Sequence, residues 1–246
     1  METRGEALAW PASYFAEIEA QGEDSEYEAL YLWPRTPIGP TDLQEVIARR
    51  MGGASDYDVG DPRSRSALII GKLRKLAADP ASGLTDGFRL LDLACGDAVV
   101  LWEIKKAFPR AECHGLDCNK GLFATHARAM QQGVLLHKGY LQHLFVQSPA
   151  NGHRFDVTVM LNTYRGWESA DLRESEQDLP EKADAWFAQN SRFVIVTATR
   201  DQIARLGREG WFVDALGKGE DDSTMICMSH EYRGRPVRRL RRLLRR

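Results

Sequence analysis

Phe88-Arg89-Leu90-Leu91-Asp92-Leu93-Ala94-Cys95-Gly96-Asp97-Ala98-Val99 joins a compact apolar run to a helical pattern through small residues. The run 88–93, with an acid near its end, predicts a buried parallel strand. Ala94, Gly96 and Ala98 then place small side chains at alternate positions, and a helix is expected from Val99. A strand that turns sharply into a helix through small residues lets a ligand approach the backbone. The helix N-terminus offers it free N–H groups. No Gly-Lys-Ser/Thr follows, which excludes a phosphate loop of the Walker kind. The absence of Gly-x-Gly-x-x-Gly argues against a nicotinamide or flavin dinucleotide.

The pattern repeats outward from this loop. Residues 111–117 predict a second strand that also ends in an acid, Asp117, where a carboxylate can accept both hydroxyls of a ribose. A helix over 99–108, closed by Pro109, connects the two strands. A helix over 119–132 leads to a third strand at 133–138; fourth and fifth strands are expected at 154–162 and 192–198. Such alternation implies right-handed crossovers and a parallel sheet with helices on both faces. Residues 211–216 and 224–229 predict two more strands, joined by 217–222, a connection short enough for a hairpin. The fold class is α/β, doubly wound, with a mostly parallel seven-stranded sheet.

Asp92, Ala94, Gly96 and Ala98 stand where an acid and three glycines recur in a known family, and the segment resembles the first motif of class I S-adenosylmethionine-dependent methyltransferases. The middle glycine is kept, and alanines replace the other two. The resemblance extends over residues 64–230 and implies a Rossmann-like methyltransferase fold with S-adenosylmethionine as cofactor. It implies cofactor contacts from Asp92, Ala94, Cys95, Gly96 and Asp97 in the loop, and from Asp117 and Cys118 after the second strand. After the third strand the family often carries an acid for the adenine amino group. Here the sequence is Lys138-Gly139-Tyr140-Leu141-Gln142, so Tyr140 is expected to stack on adenine, with Leu141 beside it and Gln142 as an acceptor. Asn162, after the fourth strand, would face the methionine part.

The segment Asn162-Thr163-Tyr164-Arg165-Gly166-Trp167-Glu168 lacks the two prolines of the motif used by methyltransferases of nucleobases and glutamine. Methyl transfer needs an acceptor held in line with the S–CH3 bond, and a hydroxyl acceptor needs a base. Candidates for acceptor contact or catalysis are Glu168, Tyr164, Arg165 and His143. Glu168 could instead cap the following helix, and a lone histidine is commonly structural. The expected activity is methyl transfer to a hydroxyl of a small polar molecule or glycan, such as a sugar or natural product. Two alternatives stay open: a methyltransferase-like binding or scaffold module without catalysis, and an RNA-modifying enzyme steered by a basic tail.

The 246 residues suffice for one large α/β domain with a cap, and 43% hydrophobic with 28% charged residues is ordinary for a soluble protein. No apolar run of transmembrane length and no signal peptide is present, so a cytoplasmic location is expected. The four cysteines, Cys95, Cys113, Cys118 and Cys227, fall in or beside strands and suit buried thiols. Cys113-His114 with Cys118 makes at most a partial zinc cluster, and no metal is expected.

Three regions follow. Residues 1–60 read as an N-terminal cap that covers the substrate, with Tyr27, Tyr31 and Trp33 as an aromatic cluster that could equally be packing alone. Residues 61–232 form the methyltransferase-like domain. Asp61-Pro62 is expected to start a helix over 63–78, whose stripe Leu68, Ile69, Leu73 and Leu76 packs on the sheet. Residues 233–246 form a basic amphipathic tail with eight arginines and with Val237, Leu240 and Leu244 at helical spacing. The chain's net charge is only −2, so the remainder is strongly acidic. Such a tail suits an anionic membrane surface, here the inner face. Nucleic acid, an acidic partner, a longer helix or a merely solvated tail are the alternatives; nucleic acid is the less expected partner.

Overall fold

The computed structural model describes residues 64–96, 98–117, 133–139, 141–146, 155–161, 163–166, 179–218 and 223–232. The expected cap at 1–60, the helix at 119–132 and the basic tail lie outside the described residues.

The elements are α1 (Arg65–Ala77), a 3-10 turn (Pro80–Ser82), β1 (Arg89–Leu93), α2 (Val99–Ala107), β2 (Glu112–Asp117), β3 (Val134–Lys138), α3 (Leu141–Val146), β4 (Phe155–Met160), α4 (Thr163–Gly166), α5 (Leu179–Asn190), β5 (Ser191–Ala198), α6 (Arg200–Arg208), β6 (Phe212–Lys218) and β7 (Thr224–Ser229). One seven-stranded sheet runs β3-β2-β1-β4-β5-β7-β6. The first five strands are parallel; β7 is antiparallel to β5 and to β6. The doubly wound α/β expectation therefore holds, including the antiparallel final strand. β6 continues past its expected end to Lys218, through an irregularity in the pairing between Ala215 and Gly217.

The two sheet faces explain why strands such as β1 carry apolar residues at adjacent positions, Leu90 and Leu91. Leu90 points into a core with Ile69, Leu73 and Leu76 of α1 and Leu101 and Ile104 of α2. Its neighbour Leu91 points into the opposite core, with Leu144 and Phe145 of α3, Trp186 and Phe187 of α5 and Leu206 of α6. A parallel sheet buried on both sides needs hydrophobes at successive positions. Each fully buried side chain of this size contributes about 1.5–3 kcal/mol.

The start of α1 differs from expectation. Ser64, not Asp61, is the cap: its hydroxyl accepts from the Ala67 N–H at 3.2 Å. A serine cap satisfies one of the unpaired amides of the first turn, which is what sets the boundary. Farther along α1, Leu68 packs on Gly217 of β6, where an added Cβ would stand 2.6 Å from a Leu68 methyl. Lys72 pairs with Asp214 of β6 at 2.7 Å.

Candidate functional site

The strand order places β1 between β2 and β4. The chain leaves β1 toward β2 on one side and returns to β4 on the other. Where successive connections diverge in this way, a crevice opens beyond the carboxyl ends of the strands.

The turn after β1 lies at that point. Ala94, Gly96 and Ala98 all have left-handed backbones, with φ of 56°, 53° and 59°. The alternation of small residues seen in the sequence is thus an alternation of left-handed positions, where a side chain is costly and glycine is not. The turn is tied to the end of β2. The Cys95 N–H donates to the Leu116 carbonyl at 3.2 Å, and the Gly96 N–H donates to Asp117 Oδ2 at 2.8 Å. The Ala98 N–H closes the turn onto the Cys95 carbonyl at 2.9 Å.

Gly115 makes this closeness possible. A Cβ there would stand 2.7 Å from Cys95 Sγ, 2.7 Å from a Leu101 methyl and 2.9 Å from a Leu136 methyl. Sequence reasoning passed over Gly115, although a glycine inside a strand is a signal of close approach.

The two strand-end acids have different surroundings. Asp92 is buried, and burial pushes its carboxyl well above the usual carboxylate range, with the Asp117 charge adding to the effect. Asp117 is half-buried at the rim, with one oxygen on Gly96. The Gly139 N–H donates to the Asp117 carbonyl at 3.1 Å and brings the end of β3 alongside. Leu141 opens α3 and packs against the second core. Gln142 and His143 follow in α3, their side chains outside the described set, as is that of Arg165. Asp97, Cys118, Tyr140, Asn162 and Glu168 also lie outside the described residues.

Tyr164 is placed in the core rather than on a pocket wall. It is fully buried, its ring against Phe187. Its hydroxyl donates to Asp184 Oδ1 at 2.7 Å and accepts from Arg205 Nη2 at 3.0 Å. Burial pushes the Tyr164 hydroxyl far up, with the Asp184 charge and hydrogen bond adding, so it stays protonated. Burial also raises Asp184 against the opposing pull of its Tyr164 and Arg205 contacts. The sequence singled out Tyr164 and missed Asp184, Arg205 and Gln202.

Cys113 and Cys227 are buried thiols, both pushed up to about 12 by burial, while Cys95 is half-buried in the turn. His114 lies between Glu112 and His137 at 2.8 and 3.0 Å. Among the described residues no cluster has the makings of a metal site, and no helix is long and apolar enough to cross a membrane.

No protein-family model matches the sequence, and no curated protein sequence matches it. Solved structures do resemble the fold. CalS10, an amino pentose methyltransferase from Micromonospora echinaspora solved with S-adenosylmethionine bound, is 15% identical, with a TM-score of 0.51 over 76% of this chain and 96% of its own. Monomeric WbdD is 18% identical, with a TM-score of 0.51 over 68% of this chain and 41% of its own. WbdD is a bifunctional kinase-methyltransferase, and the chain spans about two fifths of its length. The seven-stranded, mostly parallel sheet agrees with these likenesses: the chain has the fold of the class I S-adenosylmethionine-dependent methyltransferases.

Proposed function

We propose that this protein binds S-adenosylmethionine at the crevice after β1 and transfers its methyl group to a hydroxyl of a small polar molecule or glycan. The observation that carries the reading is the left-handed turn at Ala94, Gly96 and Ala98, laced to Asp117 at the point where the sheet connections diverge. The residues present fit the cofactor. A carboxylate has about four acceptor positions, so Asp117 can hold the Gly96 N–H and accept ribose hydroxyls as well. The small turn residues let the cofactor lie against backbone, and Asp92 beneath them is shielded from water. When bound, the cofactor supplies an electrophilic sulfonium methyl.

The chain's own part is positioning. Asp117 fixes the nucleoside end, and Asn162 is assigned to the methionine end. Ala94, Cys95, Gly96 and Asp97 supply the floor, with Cys118, Tyr140, Leu141 and Gln142 around the base. Glu168 and His143 are the candidate bases for an acceptor hydroxyl. Tyr164 is left out of the acceptor set, because its hydroxyl is held between Asp184 and Arg205. A sugar-type acceptor accords with the missing nucleobase motif and with the amino pentose that CalS10 methylates.

Residues 233–246 are assigned to an anionic lipid surface, on the strength of eight arginines interleaved with Val237, Leu240 and Leu244.

Calorimetric titration with S-adenosylhomocysteine tests the cofactor reading. The full chain should bind, and Asp117→Ala should weaken binding by roughly 1–3 kcal/mol through unpaired ribose hydroxyls. Absence of binding by the intact chain would end the proposal. Release of S-adenosylhomocysteine from S-adenosylmethionine in the presence of glycan or sugar acceptors separates an enzyme from a binding module.

A further inference from the structure

We propose that Tyr164 is a positioning residue that fixes the wall of the crevice on the β4 side, where the amino-acid end of the cofactor lies; this rests on the cofactor reading above. Asp117 at the end of β2 holds the nucleoside on one side of β1, so the rest of the molecule extends toward β4. The pairing Leu90↔Val157, Leu91↔Thr158 and Asp92↔Val159 runs β4 alongside β1, so the chain just after Met160 emerges next to the left-handed turn.

That emerging chain enters α4, a helix of only four residues. One turn of helix cannot hold its own shape, because nucleation costs more than a single turn returns. Its position is set from outside, at both ends of Tyr164. At the backbone, Gln202 Nε2 donates to the Tyr164 carbonyl at 2.9 Å. The same side chain accepts the Thr199 N–H through its oxygen at 2.9 Å, so the start of α6 is locked as it locks Tyr164. At the tip, the hydroxyl sits between Asp184 of α5 and Arg205 of α6, which also bond to each other. Two helices that flank β5 therefore hold a turn that follows β4.

A merely structural role would change stability and leave ligand preference alone. A positioning role changes affinity for one end of the cofactor only. The test titrates the full chain with S-adenosylhomocysteine and with adenosine, which lacks the amino-acid end. Wild type should bind both. Tyr164→Phe, which removes both hydrogen bonds of the hydroxyl, should weaken S-adenosylhomocysteine by about tenfold or more, and leave adenosine unchanged. Arg205→Lys, which keeps the charge and loses the two-pronged grip, should shift affinity in the same direction. Ile226→Val, in the same core cluster but outside the network, should alter neither. Equal weakening of both ligands by Tyr164→Phe, or of neither, overturns the inference while the cofactor reading stands. Failure of wild type to bind either ligand overturns the cofactor reading and the inference built on it.

Discussion

Ala94→Gly should make the ligand-free protein more stable, against the usual direction of an alanine-to-glycine change. Ala94 holds a φ of 56° and Ala98 a φ of 59°. A left-handed backbone costs an L-residue with a Cβ roughly 1–2 kcal/mol, and glycine is spared that cost. Glycine gives back roughly 0.5–1 kcal/mol through its freer unfolded chain. The net gain at Ala94, which is half-buried, is about 0.5–1 kcal/mol. Ala98 shares the strain but is fully buried in the first core. Removing its methyl forfeits about 0.8 kcal/mol of burial, which cancels the gain. Ala98→Gly should therefore be close to neutral. Thermal denaturation, followed by two probes to check a single cooperative transition, reads both. Ala94→Gly should raise the melting temperature by about 2 °C, given 2–4 °C per kcal/mol for a domain of this size. Destabilisation of both variants by a similar amount would refute the left-handed turn and the strain argument with it.

The His114 bond, helped by the charges of His114, Arg89 and Lys105 and opposed by burial, holds Glu112 below its usual 4.5. Its ionised form stabilises the fold above 4.5, and that share is lost as pH falls through the depressed value, so Glu112→Gln should flatten the acid limb of a denaturation series. Asp92 is raised by burial, so its ionisation opposes folding at neutral pH and the fold gains as pH falls through its raised value; Asp92→Asn should stabilise the apoprotein near neutrality, and a loss there would contradict the assignment. Vesicles containing anionic lipid should sediment the full chain and not a chain lacking residues 233–246. Each arginine near the surface adds about 1 kcal/mol, screened by salt, so pelleting should fall steeply as salt rises; equal pelleting of both forms would remove the membrane assignment.

The fold was legible because both faces of the sheet are buried. Strands such as 155–160 and 191–198 are then rich in apolar and β-branched residues, most densely in Phe193–Val196. Boundaries were less legible where a hydrogen bond, not hydrophobicity, sets them. Ser64 outcompeted Asp61-Pro62 as the cap of α1 by accepting from Ala67. The capping box Thr199…Gln202 was present in the sequence and marks α6, which hydrophobic pattern alone passed over because the helix buries only Gln202 and Leu206. α3 is short, and six residues carry too little periodicity to announce a helix.

The site was legible in its covalent sequence and illegible in its partnerships. Alternating small residues after β1 marked a turn of left-handed backbone, and the acid at 117 marked the end of β2. That the turn and the strand end are laced together by the Gly96–Asp117 bond, 21 residues apart, is a consequence of β1 and β2 pairing in register. Tyr164 shows the limit most clearly. Its place after β4 made it look like a residue that meets a substrate. Its partners Asp184 and Arg205 lie 20 and 41 residues farther along, on helices whose packing against the second core no local pattern specifies. A tyrosine needs a partner for its hydroxyl when its ring is buried. Here the fold provides the partners by bringing α5 and α6 together, and a residue whose place after β4 suggested acceptor contact has its hydroxyl taken up between Asp184 and Arg205.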